Sequence, residues 1–345
     1  MALSQEEIQK RIDESYELPN NVLNAVPKPL VTIRTSTYQH GKYIKDCIEG
    51  VLMQKTTFPI EFIIGEDFST DGTREIVFDY AKKYPDIIRV LTADYNVGSK
   101  ANGRRCINAS RGKYMAICEG DDYWIDPYKL QKQVDFLDNN SEYGLVATDF
   151  NMLHQKTQKM TYSLFKNEPE RFPIYTELED FLLNAGFMAP CSWLLRRDLL
   201  PKSITKSVDG SFVLLLDFFS KSKVHVLPDT TVVYRRIEES ASQSKSKRKK
   251  YKREFGILNT QLEIHKKYNL SDELKFKILK KHYHKVLPAA IVLDRKEDIA
   301  MAKKYLYNDG LFFRDKLLFM TAKIPLGNYL LKYVYWVKEF IQKTN

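Results

Sequence analysis

The 345-residue chain lacks the marks of several large protein classes. Its four cysteines, Cys47, Cys106, Cys118 and Cys191, lie far apart, so no CxxC zinc site exists. Three of them sit in apolar segments, which fits reduced, buried thiols. The six histidines form no HExxH pair. A single glycine, Gly41, follows the first apolar run, and neither a dinucleotide fingerprint nor a P-loop can be built on it. No apolar run reaches the roughly eighteen residues of a transmembrane helix. Met1 to Lys10 contains no apolar signal-peptide core, so a cytoplasmic chain is expected. No internal repeat is visible.

Basic charge is plentiful and unevenly placed. The formal net charge is +10, yet residues 245–345 hold 24 Lys+Arg against 10 Asp+Glu, leaving 30 against 34 in residues 1–244. The final third therefore reads as a separate module with an anionic partner. Nucleic acid is disfavoured as that partner, because the basic run Lys245 to Arg253 is short and no groove-reading motif accompanies it.

From Leu30 onward, short apolar runs alternate with segments of helical period. Leu30 to Ile33, Ile60 to Ile64, Ile87 to Leu91 and Tyr114 to Cys118 read as strands. Between them fall an amphipathic helix over Tyr43 to Leu52, a helix capped within Ser69 to Thr73 and ending near Tyr84, and a helix over Ser99 to Ala109. Later strands are expected at Leu145 to Thr148, Cys191 to Leu195, Val224 to Val226 and Thr231 to Tyr234, with a helix over Asp209 to Phe219. This alternation predicts an α/β fold with a mainly parallel, Rossmann-like sheet flanked by helices, followed by a helical C-terminal region.

Ligands bind such sheets beyond the carboxyl ends of the strands. Three polar groups fall there: Thr35 to Tyr38, Glu66-Asp67, and the run Cys118-Glu119-Gly120-Asp121-Asp122-Tyr123-Trp124. Three carboxylates crowded after a buried strand repel one another, and a hard divalent cation is the commonest reason to keep them together. An acidic turn in which Asp121 caps a helix is the plainer reading of the same residues.

Together these residues resemble the family 2 glycosyltransferases, inverting enzymes of the GT-A fold, over about residues 29–242. The resemblance is carried by Val31-Thr-Ile-Arg-Thr-Ser-Thr-Tyr38, Glu61-Phe-Ile-Ile-Gly-Glu-Asp-Phe-Ser-Thr-Asp-Gly-Thr73, Asn96-Val-Gly98 and Arg111-Gly-Lys-Tyr114, followed by Glu119-Gly-Asp-Asp-Tyr-Trp-Ile-Asp-Pro-Tyr-Lys-Leu-Gln-Lys-Gln133. It implies that Thr37 and Tyr38 pack against a nucleotide base and that Asp67 accepts a hydrogen bond from uracil. Asp121 and Asp122, joined by Glu119 directly or through water, would hold Mn²⁺ or Mg²⁺ against the donor diphosphate. Lys100, Arg104 and Arg105 lie near the crevice as base or phosphate contacts, or as a solvated helix face.

Two departures from the family pattern stand out. Ser211 occupies the position of the expected general base, which leaves Asp209 as the candidate, since Asp217 lies inside an apolar helix. Tyr234-Arg235-Arg236-Ile237 lacks the family's histidine, so Arg235 or Arg236 is expected at the diphosphate.

The resulting expectation is a metal-dependent inverting transferase moving a sugar from a nucleotide-sugar, a UDP-sugar first, to a glycan or lipid-linked glycan in surface-polysaccharide synthesis. A nucleotidyltransferase, an inactive sugar-nucleotide binder and a nucleic-acid-binding protein are the alternatives. Residues 1–27 read as an N-terminal helical extension, 28–242 as the catalytic domain and 243–345 as the basic helical region. In the last, Leu326, Tyr329, Leu330, Tyr333, Val334, Val337 and Ile341 recur at helical spacing beside lysines. That stripe suits either core packing or peripheral attachment to an anionic surface, the cytoplasmic face of an inner membrane.

Overall fold

The computed structural model describes residues 3–201, 209–237, 246–307, 315, 316 and 318–320. These form two compact units. The first contains residues 3–178, 186–201 and 210–237, and the second contains 179–185, 209 and the described residues from 246 onward.

The first unit begins with α1 (Gln5–Asp13), β1 (Tyr16–Glu17) and α2 (Val22–Ala25). Strand-helix alternation follows: β2 (Val31–Thr37), α3 (Ile44–Leu52), β3 (Ile60–Glu66), α4 (Thr73–Lys83), β4 (Ile88–Thr92), α5 (Ser99–Ala109) and β5 (Tyr114–Ile117). Then come β6 (Tyr123–Trp124), α6 (Lys129–Asn139), β7 (Tyr143–His154), β8 (Lys159–Thr161) and α7 (Leu164–Asn167). After α8 (Leu178–Asn184), which lies mostly in the second unit, the first unit closes with β9 (Leu194–Arg196), α9 (Gly210–Lys221) and β10 (Lys223–Arg236).

One sheet runs β1-β4-β3-β2-β5-β9-β7-β10-β6, with β8 against β7. β2 pairs in parallel with both β3 and β5, and β3 with β4. β9 is antiparallel to both β5 and β7, so those two point the same way, and β10 lies parallel to β7. The carboxyl ends of β2, β3, β4, β5, β7 and β10 therefore share one edge. β3 is buried along nearly its whole length, which is why Phe62-Ile63-Ile64 runs apolar without alternation.

Within residues 3–27, β1 adds an antiparallel strand to β4, and Ile8 of α1 packs with Ala93, Val97 and Ala101. Two sequence expectations change. The two late strands are one, β10, whose register slips between Leu227 and Val232, around Pro228. Proline has no N–H for the ladder, so pairing continues past it only through an irregularity. Leu145 to Thr148 is likewise only the middle of the twelve-residue β7.

The second unit holds α10 (Lys247–Lys267), α11 (Asp272–Val292) and α12 (Lys296–Leu306). The hydroxyls of Ser246 and Ser271 accept the Lys249 and Leu274 N–H groups and so cap α10 and α11. Among the described residues no helix is long and apolar enough to cross a membrane. The stripe from Leu326 to Ile341 lies outside the described residues.

Candidate active site

The site is assembled from loops at the common carboxyl edge. After β2, Thr37 is buried and Tyr38 is 46% exposed. The Thr37 carbonyl accepts the Asp67 N–H at 3.1 Å, joining the β2 and β3 loops. The Asp71 carboxylate accepts the N–H of Gly41 at 2.9 Å and of Thr73 at 3.2 Å, so it takes up the first N–H of α4 while pinning the β2 loop. The predicted capping segment thus also ties two loops together.

After β3, Glu66 is fully buried and holds its own turn. Its carboxylate accepts the Phe68 and Ser69 N–H groups at 3.2 and 2.7 Å, the Thr92 hydroxyl at 3.1 Å, and Arg74 at 3.0 Å. Phe68 adopts φ +60° there, a left-handed conformation unusual for an aromatic residue. Asp67 is only 2% exposed, and each oxygen takes a backbone donor: Val97 N–H at 2.7 Å and Gly98 N–H at 3.0 Å. It therefore latches the loop leading into α5. Burial pushes its pKa above the usual carboxylate range despite these donors.

The basic residues of α5 separate. Arg105 is buried and donates to Asn102 Oδ1, Ser15 Oγ and the Glu66 carbonyl, and Arg104 donates to the Pro201 carbonyl at 3.1 Å. Arg104 braces a backbone carbonyl, and Arg105 a backbone carbonyl and two side chains. Lys100 sits half-buried in the first turn of α5.

The acid cluster after β5 also divides. Glu119 is ion-paired with Arg34 at 2.7 Å. Asp122 is 2% exposed and accepts the Arg235 N–H at 2.8 Å, tying the β5 loop to β10. Burial, then the Asp121 charge, raises its pKa well above the usual carboxylate range. Asp121 is half-buried; burial raises its pKa too, opposed first by His40, with Glu119 adding to the rise. Among the described residues no three His, Cys, Asp or Glu side chains are arranged to hold a metal ion. Two members of the expected set, Glu119 and Asp122, also have partners within the fold. Even one carboxylate fits a cation that takes its other oxygens from a diphosphate and water rather than from a protein cage.

Sequence reasoning did not single out His40, whose ring lies 3.3 Å from Thr37 Oγ1. A Cβ on Gly120 would stand 2.6 Å from Thr37 Oγ1 and 2.7 Å from His40 Nδ1, so only glycine lets the acid loop approach this closely. The signal was the glycine inside the acid run. Arg235 is buried, stacked 4.5 Å over Tyr123 and 5.1 Å over Tyr43, ion-paired with Asp46, and donating to the Asp121 carbonyl at 3.4 Å. It is clamped beside Asp121. Asp209 stands just before α9, as expected, and its carboxylate is ion-paired with Arg253 at 2.5 Å.

A mainly parallel α/β sheet binds ligands at the carboxyl edge of its strands, where these loop-borne acids lie. Residues 32–203 match the model of glycosyl transferase family 2, and the chain belongs to that family, with a GT-A fold. It is 33% identical over 211 residues to the Mycobacterium tuberculosis protein Rv1520, covering 60% of this chain and 58% of that one. A Bacillus subtilis protein named as a teichuronic acid biosynthesis glycosyltransferase, TuaG, is 35% identical over 128 residues, 35% of this chain and 50% of its own. The chain thus spans about half to three-fifths of these relatives' lengths. In structure it resembles S. aureus TarS 1–349 in complex with UDP-GlcNAc, with a TM-score of 0.53 and 16% identity over 82% of this chain and 93% of that one.

Proposed function

We propose that this protein transfers a glycosyl group from a nucleotide-sugar, a UDP-sugar first, to a glycan or lipid-linked glycan of a surface polysaccharide, with inversion. The observation that carries the reading is Asp121. It is a half-buried acid at the carboxyl edge, beside His40 and Arg235, in a chain of glycosyl transferase family 2. Tyr38, exposed on the adjoining loop, offers a face for the base. UDP-GlcNAc in the similar TarS structure and the polysaccharide named for TuaG support the donor and acceptor classes.

Asp121 would hold Mn²⁺ or Mg²⁺ together with the donor diphosphate, and the cation would neutralise charge growing on the leaving group. Arg235 keeps the Asp121 backbone in place through its hydrogen bond to the carbonyl. Lys100, in the first turn of α5, adds positive charge for the donor. Asp209 is the proposed general base; its Arg253 partner competes for the lone pairs a base needs, so the pair opens when the acceptor binds. Peripheral attachment to an anionic membrane face belongs to the same proposal and rests on the basic final third.

The test is a screen of UDP- and GDP-sugars for binding and slow hydrolysis, with and without Mn²⁺. One donor class should bind, and hydrolysis should require the cation. Asp121→Ala should abolish hydrolysis and keep the melting temperature, while Asp209→Asn should slow transfer and leave donor affinity unchanged. Failure of every sugar nucleotide to bind overturns the reading.

A further inference from the structure

Phe68 is unusual in backbone and in exposure at once. It follows Asp67 in the loop after β3, at the carboxyl edge, with φ +60°. That left-handed region crowds Cβ against the backbone and is costly for a bulky L-residue, so glycine is the usual occupant. The turn itself does not call for a phenylalanine. The fully buried Glu66 carboxylate accepts the Phe68 and Ser69 N–H groups at 3.2 and 2.7 Å, and those bonds hold the backbone whatever side chain stands at 68.

Packing does not call for one either. The residue is 39% exposed, so its ring is not buried as a core aromatic is. Its neighbour is Arg74, whose guanidinium lies 5.1 Å from the ring centre and is ion-paired with Glu66 at 3.0 Å. An aliphatic side chain would cover that ion pair equally well. What only an aromatic adds is a flat π face. A strained conformation kept by surroundings that over-determine it is a feature of ligand sites.

The exposed Tyr38 holds the matching position on the adjoining β2 loop. The hydrogen bond from the Asp67 N–H to the Thr37 carbonyl, at 3.1 Å, falls immediately before both aromatics. Immediately after them Gln39 fastens the loops again. Its N–H donates to Ser69 Oγ at 3.1 Å, its Nε2 to Thr70 Oγ1 at 3.0 Å, and its Oε1 accepts the Thr70 N–H at 3.2 Å. Two exposed aromatics are thus held on fastened loops at the edge where ligands bind. Such faces suit a flat ring, and the flat ring of a nucleotide-sugar is its base. Base–aromatic stacking tolerates any base, because every base has a π face.

We propose that Phe68 stacks on the nucleobase of the donor and favours nucleotides over bare diphosphate. This rests on the transferase reading of the same edge.

The test is calorimetric titration of the full chain, with Mg²⁺ present, using UDP, GDP and pyrophosphate. Phe68→Leu keeps an apolar cover over the Glu66–Arg74 pair and has no π face. It should weaken whichever nucleotide the parent binds more tightly by about fivefold or more. Pyrophosphate binding and the melting transition should stay as in the parent. Phe68→Tyr, which keeps the ring, should bind the nucleotide as the parent does. Phe68→Gly suits the positive φ, should weaken the nucleotide in the same direction, and serves if the leucine variant does not fold. Undiminished nucleotide binding by the folded variants overturns the contact, and so does a loss in Phe68→Tyr equal to that in Phe68→Leu. An equal loss of pyrophosphate affinity overturns stacking in favour of a loosened loop. A parent chain that binds neither nucleotide overturns the transferase reading together with this one, whereas the variant outcomes overturn the role of Phe68 alone.

Discussion

Two adjacent aspartates carry different burdens. Asp122 is enclosed and receives the Arg235 N–H, whereas Asp121 is half-buried and borders His40. Deleting a buried acceptor strands its donor, so Asp122→Ala should cost about 1–3 kcal/mol of stability. Chemical denaturation should show that loss in Asp122→Ala and none in Asp121→Ala. Equal stability of the two variants would remove the anchoring role. Lys129 is the other unusual residue: fully buried, 4.3 Å from the Trp124 ring and donating to Gln133 Oε1 at 2.7 Å. Burial drives its pKa from 10.5 to about 7, against a weaker pull from Cys118 and Cys191. Its folded value lies below its unfolded one, so between these two pH values the unfolded chain binds more protons and stability rises with pH. Lys129→Met should flatten that rise in melting temperatures measured from pH 7 to 10, and a slope equal to the parent's would contradict the assignment.

At the level of elements, the strand ends matter through the loops they fasten to one another. β3 supplies Glu66 to hold its own turn and Asp67 to hold the entry to α5. Asp67→Ala would leave two backbone N–H groups without their acceptor and free that entry. It should lower stability by about 1–3 kcal/mol and weaken UDP binding as the loop loosens. Melting and UDP titration on the same sample separate the alternatives: weaker binding with an unchanged melting transition would return Asp67 to a direct contact with the base. Order and type of the elements were legible because the apolar periods change cleanly from run to helix and back. Their ends were less so. Pro228 reads locally as a break, yet β10 continues through it because β7 supplies a partner on both sides.

For the whole molecule, the asymmetry of charge is the property with the widest reach. The final third carries 24 basic against 10 acidic residues, and each basic group near an anionic bilayer contributes on the order of 1 kcal/mol. Sedimentation with phosphatidylserine vesicles should carry the full chain down at low salt and release it at high salt. Truncation before Gly327 should release it while keeping donor binding. A full chain left in the supernatant at low salt would rule out the membrane reading.

The sequence alone determined the class of sheet, the edge on which ligands gather and the family resemblance, because apolar period and motif spacing are local properties of the chain. It also located the acids at the strand ends. Only the tertiary structure decided what each acid does. Glu119 meets Arg34 from β2, Asp122 meets Arg235 from β10, and Asp67 meets Val97 and Gly98 from the loop after β4. Those partners lie between 30 and 113 residues away in sequence. A carboxylate's role follows from which donors reach it and how deeply it is buried, and both are set when distant strands come together.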